Sequence, residues 1–158
     1  LEWFGRGPHE SYWDRKTSAK IDRYKGKVIN QTYKYVRPQE TGNKTDIRWL
    51  ALYNGSIGLM VKGLPVFDGS VHNYDYALLD YSKGNQRHGK IDIIKGNQID
   101  LIIDYKQMGV GGDNSWGAKP HFKYTLPMDT TVYNLEYAII PFNKKNELDG
   151  LSRLNIDN

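Results

Sequence analysis

No cysteine occurs in the 158 residues. Disulfides, a thiolate nucleophile and cysteine-ligated metals are therefore excluded, while the redox compartment stays open. Histidine is sparse: His9, His72, His88 and His121 stand far apart, with no pair at the spacing of a zinc or transition-metal site. The sequence has no apolar run of about 18 residues and no secretory signal pattern, so nothing is predicted to span a membrane. Charge of one sign is lacking too. The net +4 comes from 22 basic and 18 acidic residues, spread evenly apart from Lys144-Lys145. No nucleic-acid partner is expected from so diffuse a charge.

Catalytic signatures are equally scarce. Ser115 sits in Asp-Asn-Ser-Trp, not in the Gly-x-Ser-x-Gly elbow of a serine hydrolase. Gly109-Val110-Gly111-Gly112 lacks both a following helix pattern and the Lys-Ser or Lys-Thr pair of a phosphate loop. Retaining sugar hydrolysis needs two carboxyl groups about 5 Å apart. Glu10, Asp14, Glu40, Asp104 and Asp113 are the candidates, and each reads more readily as structural, as in turn-capping. The chain alone offers no convincing catalytic machinery.

What it has is aromatic and β-branched sequence. Hydrophobic residues reach only 39%, yet aromatics make 13%, led by 12 Tyr and 4 Trp. The core is expected to use rings with polar tips. Strand patterns run over Lys27 to Val36, Asp46 to Tyr53, Ser56 to Lys62, Pro65 to Ser70, Gln98 to Tyr105, His121 to Leu126 and Thr131 to Ile140. In the second, Ile47, Trp49 and Ala51 are expected on one face, with Arg48, Leu50 and Leu52 on the other. Gln98 to Tyr105 is nearly continuous in apolar residues and is expected to be buried on both faces. The one helix candidate is Asn73 to Ser82. Short strands broken by Gly, Asn and Pro predict an all-β antiparallel sandwich over residues 1–142. The polar tail 143–158 has the composition of a frayed or disordered end.

Three segments look constrained. The first, Trp3 to Arg15, packs two glycines, a proline, Glu10, Asp14 and Arg15 into a strand exit. The second runs from Arg37 through Glu40 and Gly42 to Arg48 and Trp49. Arg15 and Arg48 are each able to fork onto a carboxylate such as Glu40 or Asp14. Glu10, Asp14, Arg15, Arg37, Glu40 and Arg48 are thus candidates for a structural polar network. The third is Met108-Gly-Val-Gly-Gly-Asp-Asn-Ser-Trp116. Gly109, Gly111 and Gly112 mark backbone that takes positive φ or passes close to something, and Asp113, Asn114 and Ser115 are turn formers. Trp116 then reads either as a flat platform for a ligand or as an indole tucked under its own loop.

The order Trp-Phe-Gly-x-Gly-Pro-x-Glu-x-Tyr, Asp-Arg, Arg-Pro-Gln-Glu-x-Gly and Met-Gly-Val-Gly-Gly-Asp-x-Ser-Trp resembles the C-terminal domain of the large bacterial β-galactosidases of glycoside hydrolase family 2. The resemblance runs from Leu1 to about Pro141 and leaves the tail without a counterpart. It implies an antiparallel supersandwich similar to galactose mutarotases, of which this chain would hold the C-terminal half. It also implies that the catalytic glutamates and the magnesium and sodium sites belong to other domains, with no cofactor bound here. Trp116 would reach the active site and stack on the sugar.

The function so implied is that of a non-catalytic domain in an enzyme that hydrolyses terminal β-D-galactosides. Its partners would be the galactoside and the remaining domains. A free-standing carbohydrate-binding module is the alternative, and fold analogy adds a mutarotase-like epimerase as a third reading. The chain opens on Leu1-Glu2-Trp3-Phe4 inside a strand pattern, as a piece of a longer protein would. Such a piece is expected to expose strand edges and to pair as a homodimer. Cytoplasm and periplasm both fit the composition.

Overall fold

The computed structural model describes residues 1–35, 39–74, 96–112, 114 and 116–156. Among these residues, six strands form one sheet: β1 (Glu2–Gly7), β2 (Lys20–Lys25), β3 (Lys44–Asn54), β4 (Ile57–His72), β5 (Asp100–Asp104) and β6 (Tyr137–Phe142). Every pairing is antiparallel, in the order β2-β1-β3-β4-β5, and β6 also pairs with β4. The fold is all-β and antiparallel, as the strand spacing predicts. One short helix, α1 (Leu148–Arg153), follows the last strand. No helix among the described residues is long and apolar enough to cross a membrane.

Alternation along β3 and β4 makes both faces of the sheet apolar. Leu50 stands opposite Val61 and Ala51 opposite Met60, and the two pairs fall into different clusters. One holds Trp3, Ile47, Leu50, Val61, Phe67 and Val71; the other holds Trp49, Ala51, Met60, Phe142 and Leu148. Leu148 comes from α1 and is 2% exposed. The tail therefore docks on the second face through Leu148, with Leu151 beside it. Asp149 and Glu2 share the guanidinium of Arg23, each at 2.5 Å. The Lys62 ammonium, bonded to the Ser152 carbonyl at 2.9 Å, holds the helix's last turn.

Several expected elements differ. Ile47 packs with Leu50, not with Trp49 and Ala51, because the β3–β4 register shifts on both sides of Ile47. An extra residue in a ladder turns the next side chain to the other face. Ser56 to Lys62 and Pro65 to Ser70 are one strand. Lys62 pairs with Trp49 and Phe67 with Ile47, so residues 63–66 bulge opposite Arg48 alone. A bulge takes Pro65 because no ladder bond is asked of its nitrogen there. Lys27 to Val36 makes no strand where it is described. It begins in a 3₁₀ turn, Val28–Asn30, and the Tyr33 amide bonds the Thr41 hydroxyl at 2.8 Å instead of a neighbouring strand. His121 to Leu126 likewise holds a 3₁₀ turn, Phe122–Tyr124, with Phe122 83% exposed. The strand expected from Thr131 begins only at Tyr137. Gln98 to Tyr105 contracts to β5, whose residues are half-buried throughout because it pairs with β4 alone among the described strands. The helix candidate Asn73 to Ser82 lies, beyond Tyr74, outside the described residues.

Candidate functional site: a glycine loop seated on a turn

The turn that seats the loop comes first. Tyr12 and Arg15 exchange backbone hydrogen bonds, Arg15 N–H to Tyr12 O at 2.8 Å and Tyr12 N–H to Arg15 O at 3.3 Å, which leaves Trp13 and Asp14 at the tip. The chain after β5 runs over this tip. Lys106 places its ammonium 4.1 Å from the Trp13 ring centre, and Trp13 meets Tyr124 edge to face at 6.0 Å. The Gly109 N–H donates to the Tyr124 carbonyl at 2.8 Å. The Asp14 carboxylate then accepts two successive amides, Val110 N–H at 3.1 Å and Gly111 N–H at 2.9 Å. The Arg15 guanidinium donates to the Gly111 carbonyl.

Two of the glycines are explained by this seat. A Cβ on Gly109 would stand 2.8 Å from the Asp14 carboxyl carbon and 3.0 Å from Tyr124 Cβ. Gly111 has φ +64°, a left-handed backbone in which an L side chain is strained. Beyond the seat the loop opens out. The Asn114 side chain accepts the Trp116 amide at 2.8 Å, a local turn bond, and Trp116 is 93% exposed. It is not tucked under its own loop. Asp113 and Ser115 lie outside the described residues.

Of the other predicted polar residues, Glu10 lies beside this seat. The Glu10 carboxylate accepts Gly42 N–H at 2.7 Å, the Thr41 hydroxyl at 3.1 Å and the Tyr35 hydroxyl. It ties the strand exit to the turn before β3. Tyr12 is buried beneath, its phenol raised far above 10.0 by burial and then by the charges of Glu10 and Glu40. Arg48 bonds the Asp46 carbonyl at 2.6 Å and covers the Phe4 ring at 5.8 Å. Arg15 and Arg48 thus donate to backbone carbonyls, where the sequence suggested carboxylates. Arg37 lies outside the described residues. A cleft of about 480 Å³ lies beside this seat, lined by His9, Glu10, Tyr12, Arg15, Tyr35 and Gly111, among others.

One functional-looking cluster was not anticipated. Asp46 accepts Arg6 Nε at 2.5 Å and Lys16 Nζ at 3.0 Å. Burial would raise its carboxyl, but those two cations outweigh burial and hold it below 3.8. Asp46 also has φ 56°, and its amide donates to Asp68 at 3.1 Å. Asp68 accepts Gln107 N–H at 3.0 Å as well, and burial pushes its carboxyl up to about 6. The irregular step in β3 is thereby joined to the root of the glycine loop. The only local sign was an Asp at the start of a strand pattern. No three His, Asp or Glu side chains converge as metal ligands among the described residues.

Comparison with known proteins identifies the family. The family model described as beta galactosidase small chain matches residues 1–139. A β-galactosidase of Priestia megaterium is 45% identical over 136 residues, which is 85% of this chain and 13% of that protein. One from Vibrio cholerae is 35% identical over 139 residues, 88% of this chain and 12% of its own length. The β-galactosidase BgaC of Bifidobacterium adolescentis is 34% identical over 133 residues, 82% and 12% respectively. The chain thus spans roughly an eighth of the length of these relatives. Match and motifs coincide, and the chain belongs to the β-galactosidase small-chain family.

Proposed function

We propose that this chain is a domain of a β-galactosidase that carries no acid–base pair of its own and lends the sugar site one wall. The wall is Trp116. Galactosides present a C–H surface that an indole face covers well, and Trp116 is 93% exposed on a loop whose base is fixed. That exposure is the observation that carries the proposal, because a buried indole would have no face to offer. In this reading the enzyme hydrolyses terminal β-D-galactosides with retention, using two carboxyl groups on another domain. In the same reading, magnesium and sodium are held by those other domains.

The sheet is proposed to be the C-terminal half of a mutarotase-like supersandwich, which accounts for apolar side chains on both faces. The remaining domains of the enzyme are its partners. Where the chain stands alone, a second copy takes their place along β6.

Trp116→Ala in the complete β-galactosidase carrying this chain tests the wall. Losing about 1–2 kcal/mol of apolar contact corresponds to a KM for the galactoside raised about 5- to 30-fold. Unchanged steady-state kinetics would remove Trp116 from the site.

A further inference from the structure

We propose that Asp14, seconded by Arg15, is the positioning residue for Trp116. The carboxylate grips the glycine loop at Val110 and Gly111, and this grip sets where the indole stands in the sugar site. The inference rests on the reading of Trp116 as a sugar wall.

The geometry supplies the grip. One carboxylate accepts two consecutive amides, at 3.1 and 2.9 Å, and charge-assisted bonds of this kind are stronger than neutral ones. Arg15 takes the carbonyl of the same Gly111, so both polar groups of that residue are fixed from one turn. Gly109 and Gly112 flank the grip, and a Cβ on Gly112 would stand 3.0 Å from the Arg15 guanidinium. The glycines are therefore the form the loop must take to sit on Asp14 and Arg15.

The geometry also shows why the indole depends on it. Trp116 is 93% exposed, so no packed neighbour orients its ring. Beyond Gly112 the described residues offer only the local bond from Trp116 N–H to Asn114. Among the described residues, Gly111 is the last in the loop whose backbone a distant residue holds, and the direction of the loop is inherited from it. A shift there is carried forward to the ring, and misplacements near 1 Å are enough to weaken a sugar contact. Trp13 and Tyr124 brace the same tip from below.

A double-mutant cycle in the complete β-galactosidase carrying this chain tests the assignment. Asp14→Asn keeps the shape but turns an amide group toward a backbone N–H. It is expected to raise KM about three- to tenfold with kcat changed less than about twofold, and to add almost nothing on top of Trp116→Ala. Hydrogen exchange at Val110 and Gly111 is expected to quicken by a similar factor. Arg15→Lys, a milder change on an exposed side chain, is expected to give a smaller rise in KM and the same non-additivity. Three results would overturn the proposal. Asp14→Asn leaves KM unchanged while Trp116→Ala raises it, or the two effects multiply, or exchange at the two amides stays as it was. If Trp116→Ala itself has no effect, the wall reading fails and this inference fails with it.

Discussion

Replacing Lys44 with methionine removes a buried charge, and its effect can be followed by pH. Lys44 lies on β3 and is 3% exposed. Its ammonium stands 5.3 Å from the Trp3 ring centre and donates to the Gly42 carbonyl at 3.2 Å. Burial pushes its pKa down from 10.5 to about 8, against the opposing pull of Glu10. In the unfolded chain this lysine keeps its proton up to its ordinary value. Between those two values the unfolded state therefore binds more protons, and stability rises with pH. Linkage puts the rise at about 2 kcal/mol from pH 8 to pH 10. From about pH 9 upward the tyrosines oppose the trend. Burial, then Glu2, pushes the Tyr53 phenol up to about 12, and Tyr12 and Tyr35 are also raised. Each holds its proton longer when folded, so stability falls again once the unfolded phenols ionise. Urea unfolding of the full chain, followed by far-ultraviolet circular dichroism from pH 7 to 11, is expected to show a maximum between pH 9 and pH 10. Lys44→Met is expected to be more stable than wild type at pH 8, flat from there to about pH 9, and to fall beyond it without the rise that Lys44 gives. A flat wild-type curve, or a variant with the wild-type slope, refutes the reasoning.

Sequence made the regular parts of the fold legible where alternation and partner coincide. In β3, Leu50 and Ala51 already display the two faces that Val61 and Met60 answer from β4. It failed where a partner strand decides the outcome. Lys27 to Val36 has the β-branched composition of a strand, but its described backbone bonds side chains and its own 3₁₀ turn. The bulge that turns Ile47 over exists only between two strands, so no local pattern announces it. Gly63 and Pro65 look like the end of a strand for the same reason. The site divides in the same way. The loop's glycines report that something lies close, and Trp116 after them is conspicuous. What lies close is Asp14, 96 positions before Val110 and 97 before Gly111, and only the fold brings them together. The Arg6–Asp46–Lys16 cluster was invisible for a related reason: its φ of 56° at Asp46 is imposed by tertiary bonds to Asp68 and Arg6.

Asp46→Asn is expected to change the acid limb of the stability curve. The folded carboxyl lies below its unfolded 3.8, so its contribution is present above that value and is lost as pH falls through the folded one. The variant should therefore lose less stability than wild type on going from pH 5 to pH 2, and parallel curves would refute this. Self-association is expected through the outer strand β6. It pairs with β4 and with no other described strand, while Tyr137 and Ile139, two residues apart on one face, are 43% and 54% exposed. Ile57, at the β4 end near Phe142, is 71% exposed. An unpaired edge flanked by apolar side chains is a template for another strand, and in a copy of the same chain the closed arrangement is a two-fold dimer. Light scattering of the full chain at micromolar concentration is expected to give twice the 18.2 kDa of one copy. Ile139→Lys places a charge on that face and is expected to return the monomer with its far-ultraviolet spectrum unchanged. A wild-type monomer at that concentration, or a variant that still dimerises, would exclude β6 as the contact.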